Sequence, residues 1–382
     1  MSEAVEIAAC RSCAATSLVP VVDLGMQPAC DHFPPVGETA PDPTWPLALV
    51  LCTACGLSQL SNDSPAPEEP LAVESATLKQ HALDVSRRLV ERLELPPGTR
   101  VREFASHHGG SWRAALEDAG MVCLPEQPAA QAGSEPADVV IDNMSIIHAE
   151  DLRAELAERI GALAPGGRLV IEFHHALPQV TEGQFDSIRH GHPLYFSLGS
   201  WRAAVRAFGL EVETAWPEDV FGGCLVVVAR AGATPDESAL AVLEAEAEAG
   251  LATPEGYAPL AERARQVGNG LREVLEAARG DGSRVAGYGA GSKGVTFLNV
   301  AGIDSDLLPL IADLSAGKHG RRIPGTSIPI VSPEELVGFA PDVVVVLTWD
   351  IAQEVVGDLR RRGLTDTRYL VAQPRLEDVR LP

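Results

Sequence analysis

The chain has 382 residues, a formal net charge of −23, and 46% hydrophobic against 22% charged residues. This length exceeds one ordinary hydrophobic core and predicts two or three domains. The acidic excess disfavours nucleic acid and anionic membranes as partners, because both require surplus Lys and Arg to neutralise phosphate. The acidic excess does not exclude a small anionic ligand bound in a locally basic pocket.

The first residues, MSEAVEIAACRSC, lack the apolar segment of a signal peptide. No apolar run reaches the roughly 18–20 residues that a membrane helix needs. We therefore expect a cytoplasmic protein without a membrane partner. Thiols stay reduced in that compartment, so the seven cysteines indicate metal binding or burial rather than disulfides.

Two C-x-x-C pairs lie near the amino terminus, Cys10 with Cys13 and Cys52 with Cys55. Four thiolates form a tetrahedral set with no open position, which suits a structural zinc ion. The alternative is four buried cysteines without a metal. We predict a zinc-binding domain over residues 1–62, whose metal stabilises the fold and takes no part in catalysis.

A Pro- and acid-rich linker, residues 63–70, precedes strands that alternate with helices over residues 72–230. The alternation predicts an α/β fold with a doubly wound parallel sheet, closed by an antiparallel pair at FGLEVETAW and GGCLVVVAR. Ligands of such sheets bind at the carboxyl ends of the strands, although residues of suitable type also occur there by chance. The candidates for a nucleoside-containing cofactor are Glu103, Gly109, Glu126, Asn143 and His148.

Residues 237–382 predict a second, smaller α/β domain of Rossmann type. Its first strand leads into the glycine-rich turn GYGAGSKG, which places Lys293 at the start of a helix. A basic cluster follows at Lys318, His319, Arg321 and Arg322. In so acidic a chain, this cluster favours a phosphate or diphosphate pocket, and a solvated basic turn is the alternative.

The chain resembles the sugar C-methyltransferases of deoxysugar biosynthesis over nearly its whole length. The resemblance rests on CRSC, CTACGLSQL, QFDSIRHGHPLYFSL, GYGAGSKGVTFLN, KHGRRIPGTSIPI and LTWDIAQE. It implies a zinc-binding head, an S-adenosylmethionine (SAM) domain and a C-terminal Rossmann-like domain. It also implies methylation next to the ketone of a nucleotide-linked keto-sugar. By this resemblance the candidates near the nucleotide-sugar are Tyr288, Lys293, Asn299, Lys318 and Arg321.

The chain departs from this family in the cofactor region. The family's loop Glu-x-Gly-x-Asn-Asp-Gly reads EFASHHG here, with Ala105 in place of the first glycine. Only eleven residues separate Glu126 from Asp138, too few for a further helix and strand with their connections. The family's Tyr-His-Glu-His motif reads Arg-His-Gly-His at residues 189–192, without the carboxylate.

Methylation of a carbon next to a ketone needs a base for the α-proton, and histidine suits that role because its pKa lies near operating pH. The candidates are His192 and His190, with Tyr195 beside them. Three functions stay open: a SAM-dependent C-methyltransferase, a SAM-independent enzyme for proton transfer on a keto-sugar, and a non-catalytic nucleotide-sugar binder. Fold alone does not decide among them. We expect a monomer or a small homo-oligomer.

Overall fold

The computed structural model describes residues 4–69, 71, 73–104, 109–125 and 135–379. It contains a two-stranded, a four-stranded and two six-stranded sheets. The predicted α/β architecture is confirmed, with a small N-terminal sheet ahead of two larger α/β units. Within the described residues, no helix combines the length and apolar character needed to cross a bilayer.

The N-terminal strands are β1 (Val5–Glu6), β2 (Leu18–Pro28), β3 (Thr44–Cys52), β4 (Ser58–Leu60) and β5 (Asn62–Asp63). Strands β2, β3 and β4 form an antiparallel sheet, whose fourth strand, Leu194–Tyr195, comes from the middle of the chain. One hydrophobic core joins Leu47 and Leu49 of this sheet to Leu260 and Leu271 much later in the chain. The N-terminal sheet is therefore built into the rest of the molecule.

The middle elements are α1 (Ala76–Arg92), β6 (Arg100–Phe104), α2 (Arg113–Asp118), β7 (Val122–Cys123), β8 (Ala137–Asn143), α3 (Leu152–Gly161), β9 (Leu163–His174), α4 (Ala176–Thr181), β10 (Leu194–Tyr195), α5 (Leu198–Arg206), β11 (Glu211–Glu218) and β12 (Cys224–Arg230). The sheet order is β7-β6-β8-β9-β12-β11. Its first four strands are parallel, and β12 pairs antiparallel with both β9 and β11, as predicted. In the described part of the chain β7 is the edge strand, and the predicted shortened unit before β8 falls largely outside the described residues.

The C-terminal elements are α6 (Glu237–Glu248), α7 (Pro254–Asp281), β13 (Val285–Tyr288), α8 (Ser292–Ala301), β14 (Ile311–Ala312), β15 (Ile330–Val331), α9 (Pro333–Phe339), β16 (Val343–Val346), α10 (Ala352–Arg361), β17 (Arg368–Val371) and β18 (Glu377–Asp378). The sheet order is β15-β14-β13-β16-β17-β18, parallel except for the last pair. Strand β16 is four consecutive valines, all buried, which is typical of a central parallel strand covered on both faces. The second α/β unit is therefore confirmed, whereas the predicted domain boundaries stay predictions.

Helix α1 connects the N-terminal and middle units and also touches the C-terminal one. The Ser75 side chain accepts a hydrogen bond from the backbone of Leu78 and caps the helix. The Glu354 carboxylate also accepts from the backbone N–H groups of Ala76 (3.2 Å) and Thr77 (3.1 Å). Helix N-termini favour such carboxylates because their first N–H groups have no partner within the helix.

Candidate functional site

A cavity of about 280 Å³ lies where the three units meet. The N-terminal unit contributes Asp31 and Phe33, and the segment before α1 contributes Glu69 and Glu74. The carboxyl edges of the two larger sheets supply most of the remaining wall. The residues of that wall with polar or ionisable side chains are Asn143, His148, His174, Ser187, Arg189, His192, Ser292, Lys293, Lys318, Thr348 and Asp350.

Three of the predicted cofactor residues line this cavity: Gly109, Asn143 and His148. Asn143 is buried at the end of β8 and its side-chain nitrogen donates to the carbonyl of Gly110. Glu103 lies at the predicted strand end, the carboxyl end of β6, and its role as a cofactor residue stays a prediction. It is not one of the described residues that line the cavity.

The Glu103 carboxylate instead stabilises the turn into α2. It accepts from the Ser111 hydroxyl (2.6 Å) and the Trp112 backbone N–H (2.7 Å). The predicted candidate Glu126 lies outside the described residues, as does the divergent part of the loop at 105–108. The described cofactor side therefore consists of the turn at 109–110 and the residues that follow β8.

This side of the cavity fits SAM. Gly109 has a backbone φ of +92°, which residues other than glycine rarely adopt. Without a side chain, its backbone can approach a ligand closely. Val73, Leu78, Met144 and Ile147 provide an apolar wall suited to an adenosine ring. When bound, the cofactor would contact this wall and the polar groups of Asn143 and His148.

Three histidines meet at the centre of the cavity. The ring of His192 lies 4.6 Å from that of His148 and 5.7 Å from that of His174, measured between centroids. The Arg189 guanidinium nitrogen Nη2 lies 2.5 Å from His192 Nε2. Because a guanidinium only donates, Nε2 must accept this hydrogen bond, and the imidazole is therefore unprotonated at that nitrogen.

Arg189 is buried and lies between this histidine and two carboxylates. It pairs with Asp31, and its Nη1 lies 3.9 Å from Glu68 Oε1. Burial opposes the charged form of Arg189, but the neighbouring Asp31, Cys30 and Glu68 outweigh burial and raise its pKa. The guanidinium therefore stays charged next to His192.

His190 and Tyr195, the other two predicted catalytic residues, are not among the described residues that line the cavity. His190 Nε2 lies 3.2 Å from the Pro46 carbonyl and its ring contacts Trp45, and burial lowers its pKa. Tyr195 is buried in β10, where its hydroxyl accepts from the Arg189 backbone N–H (3.0 Å). Their positions suit support of the loop rather than contact with a substrate.

Two lysines line the C-terminal side of the cavity, and the anion site expected there stays a prediction. Lys293 Nζ donates to the Phe221 carbonyl (2.7 Å) and pairs with Asp350 (3.0 Å). Lys318 Nζ donates to the Ala290 carbonyl (2.8 Å) and lies 3.5 Å from Asp313. Helix α8 begins at Ser292, which also lines the cavity, so the partial positive charge of its N-terminus faces the same space.

The other predicted sugar-site residues, Tyr288, Asn299 and Arg321, are absent from the cavity wall of the described chain. Tyr288 is buried in the core around β13, and burial raises its pKa to about 12. Asn299 donates to the Pro324 carbonyl (3.0 Å) and so fixes the loop after Lys318. Arg321 donates to the Phe33 carbonyl (2.8 Å) and pairs with Glu69 (3.0 Å), which joins the C-terminal unit to the N-terminal one.

Sequence reasoning missed the acidic residues that surround Arg189. Asp31 follows the first strand of the N-terminal sheet, and its carboxylate also accepts from the Ser292 hydroxyl (2.7 Å). Glu68 and Glu69 belong to the predicted linker. The only available signal was the pair of acids in DSPAPEEP, which is equally typical of a solvated connection.

The four N-terminal cysteines form a separate centre. Their sulfur atoms all lie within 4.8 Å of one another, and the Cys10–Cys55 and Cys13–Cys52 Sγ pairs are 3.6 Å apart. A tetrahedron with zinc–sulfur bonds of about 2.3 Å has edges of about 3.8 Å, so these residues fit a zinc ion. Within the described residues, no other cluster of three or more His, Cys, Asp or Glu side chains is this compact. None of the four lines the cavity, in keeping with a structural metal.

Comparison with known families assigns every part of this arrangement. Residues 10–69 match a putative zinc binding domain, residues 71–215 a methyltransferase domain, and residues 219–374 the C-methyltransferase C-terminal domain. The chain is thus a SAM-dependent methyltransferase with a zinc-binding domain ahead of its cofactor domain. More narrowly, the match of residues 219–374 indicates a C-methyltransferase.

The chain is also similar to individual proteins. The C-methyltransferase NovU of Streptomyces niveus is 29% identical over 407 residues, which cover 96% of this chain and 95% of that protein. Among solved structures, a SAM-dependent methyltransferase of Thermotoga maritima is similar with 15% identity and a TM-score of 0.30, over 40% of this chain and 90% of that one. Magnesium protoporphyrin IX methyltransferase of Synechocystis gives 14% and 0.29, over 40% and 83%.

Proposed function

We propose that this C-methyltransferase methylates the carbon next to the ketone of a nucleotide-linked keto-deoxysugar, with His192 as the base. One observation carries the proposal. A single cavity joins the cofactor side at Gly109, Asn143 and His148 to the histidine cluster and to the two lysines. A methyl donor, an acidic carbon and an anionic tail could therefore be held in one space.

His192 has the properties that the proton transfer needs. Its contact with Arg189 requires an unprotonated Nε2, so the resting imidazole is neutral. Nε2 takes up the substrate proton as the Arg189 N–H group that it accepts from turns towards the developing enolate. Removal of the α-proton leaves an enolate, and the positive charge of Arg189 lies close enough to stabilise it. When bound, SAM supplies the electrophilic methyl group that the enolate carbon takes.

The diphosphate of the nucleotide-sugar would lie against Lys293, Lys318 and the N-terminus of α8. An ammonium group has three N–H donors, and the two contacts described for each lysine leave a third for a phosphate oxygen. Both lysines are held by backbone carbonyls, which fixes their position before the ligand arrives. Such fixed cations lower the entropy cost of binding.

The test combines three measurements on the purified protein. Calorimetry detects SAM binding, proton NMR in deuterated water detects exchange next to the ketone, and mass spectrometry detects methyl transfer to a panel of nucleotide-linked keto-deoxysugars. We expect binding, exchange and transfer. Exchange without SAM binding would instead establish a SAM-independent enzyme on this scaffold. Sugar binding with neither exchange nor transfer would establish a binding protein.

A further inference from the structure

The glycine between the two loop histidines lies against a carboxylate from elsewhere in the chain. Gly191 has φ +85°, and a Cβ placed on it would lie 1.3 Å from Glu68 Oε1 and 2.5 Å from Glu68 Cδ. The Glu68 carboxylate therefore takes up the space where a side chain at residue 191 would begin. Its own side chain stays 36% exposed, so it reaches the loop from the solvent side.

Glu68 is held there by its neighbours. The next residue, Glu69, donates from its backbone to the Asp31 carbonyl (2.9 Å). Its carboxylate pairs with His32 (2.7 Å) and Arg321 (3.0 Å). Because Glu69 is anchored at three points, the preceding residue has little freedom to leave the loop.

The Glu68 carboxylate is connected to His192 through the side chain of Arg189. Glu68 Oε1 lies 3.9 Å from Arg189 Nη1, and Arg189 Nη2 donates to His192 Nε2. A guanidinium next to an imidazole opposes its protonation, and carboxylates behind the guanidinium reduce that effect. Among the described residues, the groups that face His192 include Arg189, His148 and His174, with Asp31 and Glu68 behind Arg189.

Building on the function proposed above, we propose that Glu68 is a positioning residue of the histidine loop. Its carboxylate supplies from the linker the charge that Gly191 does not provide, and together with Asp31 it balances Arg189 so that His192 can accept the substrate proton. The linker thus belongs to the active site and does more than connect two domains.

The first experiment compares wild type with Glu68→Gln, which keeps the shape and removes the charge. Histidine-labelled protein is titrated by NMR, and the signal of His192 is assigned from a His192→Gln sample. We expect the titration midpoint of His192 to fall by at least about half a pH unit in Glu68→Gln. We expect turnover for α-proton exchange to fall about tenfold, with little change in KM.

Asp63→Asn is the matched control for the titration, because Asp63 is in the same acidic segment, pairs with Arg11 and does not line the cavity. We expect it to leave the His192 midpoint in place. An unchanged His192 midpoint in Glu68→Gln, or an equal shift in both variants, overturns the proposal. The titration needs no substrate, so it decides the role of Glu68 even if no keto-sugar is turned over.

A second experiment moves the carboxylate back into the loop. Gly191→Glu alone places a side chain on Glu68 in an unfavourable backbone conformation, and we expect low activity. In the double variant Gly191→Glu with Glu68→Gly the collision is removed and a carboxylate remains. We expect at least a tenfold recovery over Gly191→Glu. Equal activity of the single and double variants would contradict the proposal that a carboxylate at residue 191 can replace that of Glu68.

Discussion

The first prediction distinguishes the roles of the two loop histidines, His190 and His192, in proton transfer. In His192→Gln the side-chain oxygen can still accept from Arg189, so packing and charge stay close to wild type while the proton-accepting nitrogen is lost. A general base contributes roughly 10²–10⁴-fold to a rate, which corresponds to about 2.7–5.4 kcal/mol of transition-state stabilisation. We expect a loss in that range for deuterium exchange next to the ketone, followed by NMR without SAM so that methyl transfer does not obscure it.

His190→Gln is the control, because its amide can still donate to the Pro46 carbonyl. We expect its exchange rate to stay within about threefold of wild type, as is usual for a conservative change away from the reacting atoms. Exchange that survives in His192→Gln, or that falls equally in both variants, would refute the assignment of the base.

Four further outcomes are expected. Arg159→Met should lower the free energy of unfolding in urea by about 3–5 kcal/mol, because it leaves the fully buried Asp142 carboxylate without its cation; a loss below 1 kcal/mol would contradict this. Metal analysis should find one zinc per chain, and stripping it with a chelator should lower the melting temperature, whereas a metal-free protein of equal stability would exclude the zinc site. Burial raises the pKa of Asp186 from 3.8 to about 6, so its contribution to stability is present below pH 3.8 and lost as the pH rises through 6. Wild type should therefore lose about 2 kcal/mol relative to Asp186→Asn between pH 4 and pH 7, and parallel stability curves would contradict it. Lys293→Met should weaken binding of a nucleoside diphosphate at least about tenfold by calorimetry, and unchanged affinity would remove Lys293 from the anion site.

Features whose cause is local in sequence could be predicted. The metal site was recognisable because two C-x-x-C pairs supply the four thiolates of a tetrahedral site. The alternation of strands and helices likewise predicted both larger sheets, and the antiparallel pair of β11 and β12. Lys293 and Lys318 could be expected on one side of a common cavity because a helix N-terminus and a basic loop both follow strand ends.

Features that depend on the path of a loop could not be predicted. His190 and His192 are two residues apart, yet one contacts Pro46 and the other lines the cavity. Spacing alone does not say which of them turns inward when a glycine with positive φ lies between them. The pairing of Glu68 with Arg189 spans more than a hundred residues, and a short acidic Pro-rich segment gives no sign of such a contact.

The Glu354 carboxylate at the start of α1 has a consequence for engineering. A helix that belongs to the methyltransferase unit receives part of its N-terminal cap from the C-terminal unit. A chimera that replaces residues 219–374 to change the substrate would therefore also alter how α1 is anchored. Donor domains that carry an acidic residue at the position of Glu354 should give soluble, SAM-binding chimeras more often than donors that lack one.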